Sequence, residues 1–227
     1  MESQETNPET ERRGFTGLVL CGALLGLAEI VISSIMRNAG LPYRSAVLAG
    51  LGMGLMALAL ALYRRTAAVL GVASMAALCK ALAIPVFQPP FFCNANACIA
   101  VLLNSAALAA VAAVAGRWME RSVVFRVAAG VVAAVAGVAA FYSLGVYVEP
   151  CRPLMQINAA GGILTYLASK GLPAAVASGV LLPAGYALGL RLRDSRLPVP
   201  GRHGLVGYPV TAAILVSCWL LNGLLIG

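Results

Sequence analysis

The sequence has little charge and almost no histidine. Asp, Glu, Lys and Arg make up 11% of the 227 residues, and His203 is the single histidine. One histidine excludes bis-histidine haem ligation within the chain and argues against a zinc hydrolase. The sequence also contains no Walker A loop, HExxH or GxSxG motif, so we expect neither ATP hydrolysis by this chain alone nor hydrolase chemistry. We therefore predict a protein that is not an enzyme and has no cofactor of its own.

Apolar residues are abundant instead. They account for 61% of the chain, and the mean hydropathy is +0.90. A soluble domain of this size could not bury so much apolar surface in one core, whereas lipid accepts it. A transmembrane helix needs roughly 20 apolar residues, and the sequence predicts seven such spans, at residues 15–36, 45–63, 66–87, 98–116, 127–148, 171–190 and 205–226. We predict an all-α, polytopic membrane helix bundle with about seven spans, six or eight being the alternatives.

The basic residues give these spans an orientation. If the amino terminus is cytoplasmic, eleven of the sixteen Lys and Arg residues fall in cytoplasmic gaps, four fall in outer gaps, and Lys80 lies within a span. This asymmetry follows the positive-inside rule. The basic residues stand at the ends of apolar runs, so the net charge of +8 predicts contact with anionic lipid and not with nucleic acid. We predict a multi-pass protein of the prokaryotic plasma (inner) membrane.

The domain organisation is simple apart from one segment. Residues 1–13 are polar and partly acidic, which predicts a disordered cytoplasmic tail and not a cleaved signal peptide; residues 14–227 form one transmembrane domain. The apolar segment 154–169 is short for a span. If it crossed the membrane, the arginines after residue 190 would move outside and weaken the charge bias. We therefore expect a re-entrant or interfacial segment there, the alternative being a single tilted helix broken near Gly171.

Glu29 and Lys80 are the acid and the base that lie well inside predicted spans. Glu29 follows Phe15 by 14 residues and Lys80 follows Thr66 by 14, so both lie about 21 Å from the inner edge of the membrane. A charge at a helix centre costs about 2.5–3.5 kcal/mol, so each should face protein or water. We predict that they face a common cavity as an ion pair or as separate ligand contacts; a purely structural pair, or outward snorkelling of Lys80, is the alternative.

Polar amides cluster near the same outer level. Residues 88–98 form the predicted outer loop between the third and fourth spans, where Pro89 and Pro90 prevent helix continuation. Amides that converge on a cavity could hydrogen-bond a neutral or zwitterionic solute; helix capping or helix-to-helix hydrogen bonding is the alternative. The remaining ligand-binding candidates are Asn94, Asn96, Asn104, Gln156 and Asn158.

Three cysteines, Cys93, Cys98 and Cys151, lie on the predicted outer side. Thiols there meet an oxidising environment, so a disulfide between Cys151 and either of the others would join two outer loops, with Cys93–Cys98 as the alternative pairing. Thiol–disulfide exchange or capture of a soft metal is the functional interpretation. The sequence has no CxxC motif and no outer histidine, so we predict a structural disulfide and no metal site.

Residues 22–116 carry a family resemblance. In order they hold a small-residue first helix, the sequence Leu41-Pro42-Tyr43, a glycine-rich second helix, a third helix with Leu78-Cys79-Lys80-Ala81-Leu82, a proline-rich outer loop, and a fourth helix that runs from Cys98 to Asn104 and beyond. This order resembles the substrate-binding membrane (S) components of energy-coupling factor transporters. The resemblance implies capture of a vitamin or related small molecule from outside, and dependence on a partner membrane subunit and two cytoplasmic ATPases.

Three functions fit these features. The first is a small-solute, vitamin-like binding and uptake component that lacks its own ATPase. The second is a non-catalytic membrane anchor subunit of a larger respiratory or redox complex, beside a quinone and bound to extrinsic redox subunits. The third is a thiol–quinone oxidoreductase that uses the three outer cysteines.

Overall fold

The computed structural model describes residues 8–41, 43–87, 91–147 and 161–194, together with a few helical positions between 212 and 220. Every regular element in these ranges is helical, which confirms the predicted all-α class. The elements are α1 (Pro8–Asn38), α2 (Arg44–Tyr63), α3 (Thr66–Phe87), α4 (Phe91–Arg121), α5 (Val123–Tyr147), α6 (Gly162–Tyr166), a π-helical segment (Leu167–Gly171) and α7 (Leu172–Asp194).

The helices have the length and composition of transmembrane segments. Within the described ranges, four stretches are long and apolar enough to cross a bilayer, namely Arg44–Tyr63, Asn96–Arg121, Val123–Val146 and Gly162–Asp194. Two shorter apolar stretches, Gly17–Ser33 and Thr66–Ala81, lie in α1 and α3. The chain is therefore a multi-pass helical membrane protein. The predicted seventh span, 205–226, lies almost wholly outside the described residues.

Two helices start earlier than the sequence analysis placed them. The helix α1 begins at Pro8, inside the expected tail of residues 1–13, and proline is well accepted at the first helical position because its missing N–H would have no partner there. The helix α4 begins at Phe91, although we expected a loop as far as Cys98. Between residues 91 and 115 no glycine or proline interrupts the sequence, so nothing local ends the helix at the apolar boundary.

Near Gly171, where our alternative interpretation placed a break, the described chain is helical throughout, and the re-entrant or interfacial interpretation of 154–169 stays a prediction. Residues 162–194 run through α6, the π-helical segment and α7 without interruption. Pro173 removes one backbone donor and its ring crowds the carbonyl one turn earlier, and a wider π-helical turn accommodates that defect. Gly161, just before this run, and Gly162, its first residue, have φ values of 148° and 66°, which glycine adopts without steric cost. Residues 154–160 lie outside the described residues.

Glycines bring the helix backbones into contact. A Cβ added to Gly185 of α7 would overlap the carbonyl of Gly54 in α2, and one added to Gly189 would lie 2.6 Å from the carbonyl oxygen of Leu58. On α1, a Cβ at Gly26 would lie 2.9 Å from Cys79 Cβ in α3. Such close approach replaces the hydrophobic drive that lipid cannot supply. Small residues of α1 and α2 therefore pack against other helices of this chain.

Charged residues gather at one end of the bundle, which we call the basic end. The guanidinium of Arg64, after α2, pairs with Glu120 at the end of α4 at 2.5 Å. Arg193, near the end of α7, donates a hydrogen bond of 3.4 Å to the carbonyl of Ala61 in α2. The carboxyl-terminal ends of α2, α4 and α7 thus share this end. The opposite end, where α2 and α4 begin and α5 finishes, is called the amide end.

Candidate functional site

A cavity of about 220 Å³ opens at the amide end between α2, α4, α5 and the π-helical segment. Two of the predicted ligand-binding residues, Asn96 and Asn104, line it from α4. Its other polar lining residues are Ser45, Tyr166 and Lys170. The remaining lining residues are Ala49, Ala97, Ala100, Gly137, Val138, Phe141 and Ala174. A mostly apolar wall with a few convergent polar groups is the usual composition of a small-molecule site.

Asn104 owes its place in the cavity to a glycine on the facing helix. A Cβ added to Gly137 of α5 would overlap the Asn104 side-chain oxygen and would lie 3.1 Å from its Cα. The hydrogen in place of a side chain at Gly137 therefore lets the amide lie directly against the α5 backbone. Any larger residue at position 137 would push Asn104 toward the space that the cavity occupies.

The π-helical segment contributes the charge of the cavity. Lys170 lies in this segment, and Tyr166 stands immediately before the segment, four residues before Lys170. Both side chains therefore lie on the same side and line the cavity. The Tyr166 ring packs against the Tyr142 ring of α5 with centroids 5.2 Å apart, which ties this wall to the bundle. From the sequence alone, Lys170 is one of the four basic residues in predicted outer gaps and is not a ligand-binding candidate. The sequence signal for Lys170 is Pro173, which disturbs the helical turn before it, where Tyr166 and Lys170 lie four residues apart. A disturbed turn of this kind can become π-helical, and π-helical turns are frequent at functional sites.

Glu29 and Lys80 lie apart from this cavity and form an ion pair between α1 and α3. Their side chains are 7% and 12% exposed, so the pair is enclosed by protein. Next to it, the Cys98 thiol donates a weak hydrogen bond of 3.5 Å to the carbonyl of Ala77, one turn before Lys80. Of the alternatives for these two residues, the structure has the ion pair; a role in ligand binding stays a prediction.

Of the predicted disulfides, the described residues bear on Cys93–Cys98 and not on the pairings with Cys151. Cys98 is a free thiol. Cys93 and Cys98 both belong to α4, where five residues advance about 7.5 Å along the helix axis. That exceeds the Cα separation that a disulfide spans, so these two cysteines cannot pair in this helix. The side chains of Cys93 and Asn94, and all of Cys151, Gln156 and Asn158, lie outside the described part, and the predictions on them stay predictions.

These features define a multi-pass helical membrane protein with a mostly apolar cavity, carrying a few polar groups, at one end of its bundle. Within the described ranges, no group of three His, Cys, Asp or Glu side chains could hold a metal ion. No protein-family model, curated protein or solved structure matches the chain. Its function is therefore argued from the chemistry of its own residues.

Proposed function

We propose that this protein binds a small solute in the prokaryotic plasma membrane and serves in its uptake, as the substrate-binding component of a transporter whose ATPase is on other subunits. The observation that supports this proposal is the cavity at the amide end, with Asn96, Asn104 and Lys170 in its wall. Two amides offer donors and acceptors, and the ammonium offers a positive charge. Such groups in a mostly apolar enclosure can orient a solute and select it.

The size and charge of the cavity define the class of solute. An engineered cavity of about 150 Å³ holds benzene, so the 220 Å³ here would hold about nine non-hydrogen atoms. Lys170 is the one ionised side chain among the residues that line it, and no carboxylate is among them. A neutral or anionic small molecule with an apolar body therefore fits better than a cation.

The distribution of charge supports an uptake direction. The basic end holds Arg64, Arg117, Arg121, Arg126 and Arg193, which the positive-inside rule assigns to the cytoplasm. The cavity at the amide end would then open to the outside, where a solute for uptake is found. The chain has no Walker A loop, so a partner subunit with cytoplasmic ATPases would supply the energy.

The test is whether the cavity retains a small molecule. The protein is purified in mild detergent from its bacterial host, denatured, and its extract is analysed by mass spectrometry. Asn104→Leu keeps the branching of the side chain but removes the amide donor and acceptor from the cavity wall, and should abolish retention, whereas Asn38→Leu, at an exposed residue of the same end outside the cavity lining, should not. Unfolding temperatures of both variants show that the bundle is intact.

Two outcomes would contradict the proposal. One is a wild-type preparation from which no small molecule is extracted and which no compound of about nine non-hydrogen atoms stabilises. The other is an Asn104→Leu variant that retains as much solute as wild type.

The second candidate is the membrane anchor subunit of a respiratory or redox complex. Arg117, Arg121 and Arg191 are exposed at the basic end, and an extrinsic subunit could dock on them. Co-purification with redox subunits, without a retained solute, would favour this function. The thiol–quinone oxidoreductase has less support, because Cys98 bonds to a backbone carbonyl and helix geometry separates it from Cys93.

A further inference from the structure

A second and larger cleft, of about 790 Å³, lies at the basic end. It is bounded by the turn between α2 and α3 and by the last three turns of α4, with the buried Tyr186 of α7 among its lining residues. This cleft shares no lining residue with the cavity at the amide end. Whatever it binds is therefore independent of the proposed solute site.

The cleft carries an excess of positive charge. Arg64, Arg117 and Arg121 line it, and Glu120 is its one acidic lining residue. Glu120 pairs with Arg64, so its negative charge is already matched. Among the described residues no ion pair involves Arg117 or Arg121. Two guanidinium groups are thus available to an anion, and the planar fork of arginine suits phosphate oxygens in particular.

The apolar part of the same wall points to a lipid. Arg117 and Arg121 are four residues apart on α4 and share one face, which continues toward the bundle middle through Val114. Val114 is 77% exposed, and half-exposed Trp118 stacks on Phe125 with ring centroids 6.0 Å apart. The wall is therefore basic at the end of the bundle and apolar deeper in, with an aromatic pair of the kind found at membrane interfaces.

We propose that this cleft binds an anionic phospholipid. The phosphate of the headgroup lies between Arg117 and Arg121, and an acyl chain follows Val114 and Trp118 toward the membrane interior. A free phosphate ion would satisfy the guanidinium groups but would leave the apolar wall unused. Basic pockets at the cytoplasmic ends of transmembrane helices are suited to such headgroups.

The test measures lipid binding by delipidated protein in neutral detergent with native mass spectrometry. Phosphatidylglycerol is titrated against wild type, the double variant R117Q/R121Q and the matched control R65Q/R191Q. The control removes two exposed arginines of the same end that do not line the cleft. Each lost contact should weaken binding about five-fold, so R117Q/R121Q should bind about 25-fold more weakly, while the control should stay within two-fold of wild type.

Further titrations identify the ligand. Phosphatidylcholine, which has no net charge, should bind wild type more weakly than phosphatidylglycerol does, and R117Q/R121Q should reduce that difference. Val114→Asn should weaken phosphatidylglycerol binding without changing competition by inorganic phosphate. Unfolding temperatures measured without lipid show whether each variant folds. If R117Q/R121Q does not fold, R117K/R121K, which keeps both charges, is titrated in its place.

Three results would overturn the proposal. Equal loss of affinity in R117Q/R121Q and R65Q/R191Q would mean that total charge, and not this cleft, attracts lipid. Competition by millimolar inorganic phosphate, with Val114→Asn having no effect, would assign the guanidinium pair to a soluble anion. Equal binding of phosphatidylglycerol and phosphatidylcholine would remove the headgroup charge from the interaction.

Discussion

In the described part of the chain, two ion pairs join separate helical regions, and they lie in opposite surroundings. Glu29 and Lys80 join α1 to α3 with side chains 7% and 12% exposed, whereas Arg64 and Glu120 meet at the basic end with side chains 61% and 41% exposed. Breaking a buried pair leaves an unmatched charge without water, whereas an exposed partner is solvated again at once. The loss of one partner should therefore cost much more stability in the buried pair than in the exposed one, although the two pairs consist of the same kinds of group.

The largest effect is expected from Lys80→Leu. This change leaves the Glu29 carboxylate enclosed without its partner, and we expect a loss of about 3–5 kcal/mol in the free energy of unfolding. Denaturation in detergent, followed by helical circular dichroism, measures it. The double variant Glu29→Leu, Lys80→Leu removes both charges and should recover most of that loss. A single variant as stable as the double one would mean that the pair is not shielded from water.

Arg126 tests whether the burial of a charged side chain, or the end of the bundle at which it lies, determines how much stability is lost when it is replaced. It lies at the basic end but is buried, and its Nε donates to the Met119 carbonyl at 2.7 Å. Its guanidinium also stands 4.8 Å from the Tyr186 ring centroid. Arg126→Leu leaves carbonyls of the last turn of α4 without this donor, and we expect a loss of about 1.5–3 kcal/mol by the same denaturation.

The matched control for Arg126→Leu is Tyr186→Phe, which keeps the aromatic ring and should change stability by less than about 1 kcal/mol. If Arg126→Leu lost as little stability as this control, charged residues at the basic end would contribute little to stability whether buried or exposed. The difference between the two ion pairs would then reflect the end of the bundle at which each lies, and not its burial.

The contact between α2 and α7 shows how far the interior depends on backbone proximity instead of charge. Gly185→Ala places a methyl group against the Gly54 carbonyl, and we expect a loss of about 1–3 kcal/mol. Gly71→Ala on α3 meets its nearest neighbour at 3.8 Å and should be neutral or stabilising by up to about 1 kcal/mol. Equal thermal shifts for the two alanine variants would contradict the close packing of α2 against α7.

The smallest effect is expected from Glu120→Gln, which breaks the exposed pair with Arg64. We expect a change of about 0–1 kcal/mol, and the difference from wild type should shrink as salt is raised because both side chains are solvated. Unfolding at two ionic strengths measures it. A loss as large as that of Lys80→Leu would abolish the distinction between the two pairs.

Hydropathy predicted most of the fold, because apolar length in lipid leaves a backbone few options besides a helix. Equal depth along two parallel spans also predicted that Glu29 and Lys80 would lie at one level, and they are in contact. Helix ends were harder. The start of α1 at Pro8 and of α4 at Phe91 depend on backbone hydrogen bonding, which continues past the apolar boundary of a span.

The wall of the cavity was only half predictable. Asn96 and Asn104 were candidates because they are polar at the outer level, but their meeting with Lys170 depends on which way each helix is rotated. That rotation is set by contacts such as Gly137 with Asn104 and Gly185 with Gly54, which join residues far apart in the sequence. A single sequence shows that small residues are present and does not show which of them touch.

The π-helical turn at Leu167–Gly171 makes the wall of the cavity sensitive to the number of residues in this stretch. It contains one residue more than an α-helical path over the same rise, so the deletion of a single residue there would let the backbone close into an ordinary helix. The residues on either side, Tyr166 among them, would keep their facing relative to α7, because the wider turn is what absorbs the extra residue, and only the side chains inside the turn would change direction. A single-residue deletion in this stretch would thus redirect the side chains of the turn itself, whereas point substitutions there change only their chemistry.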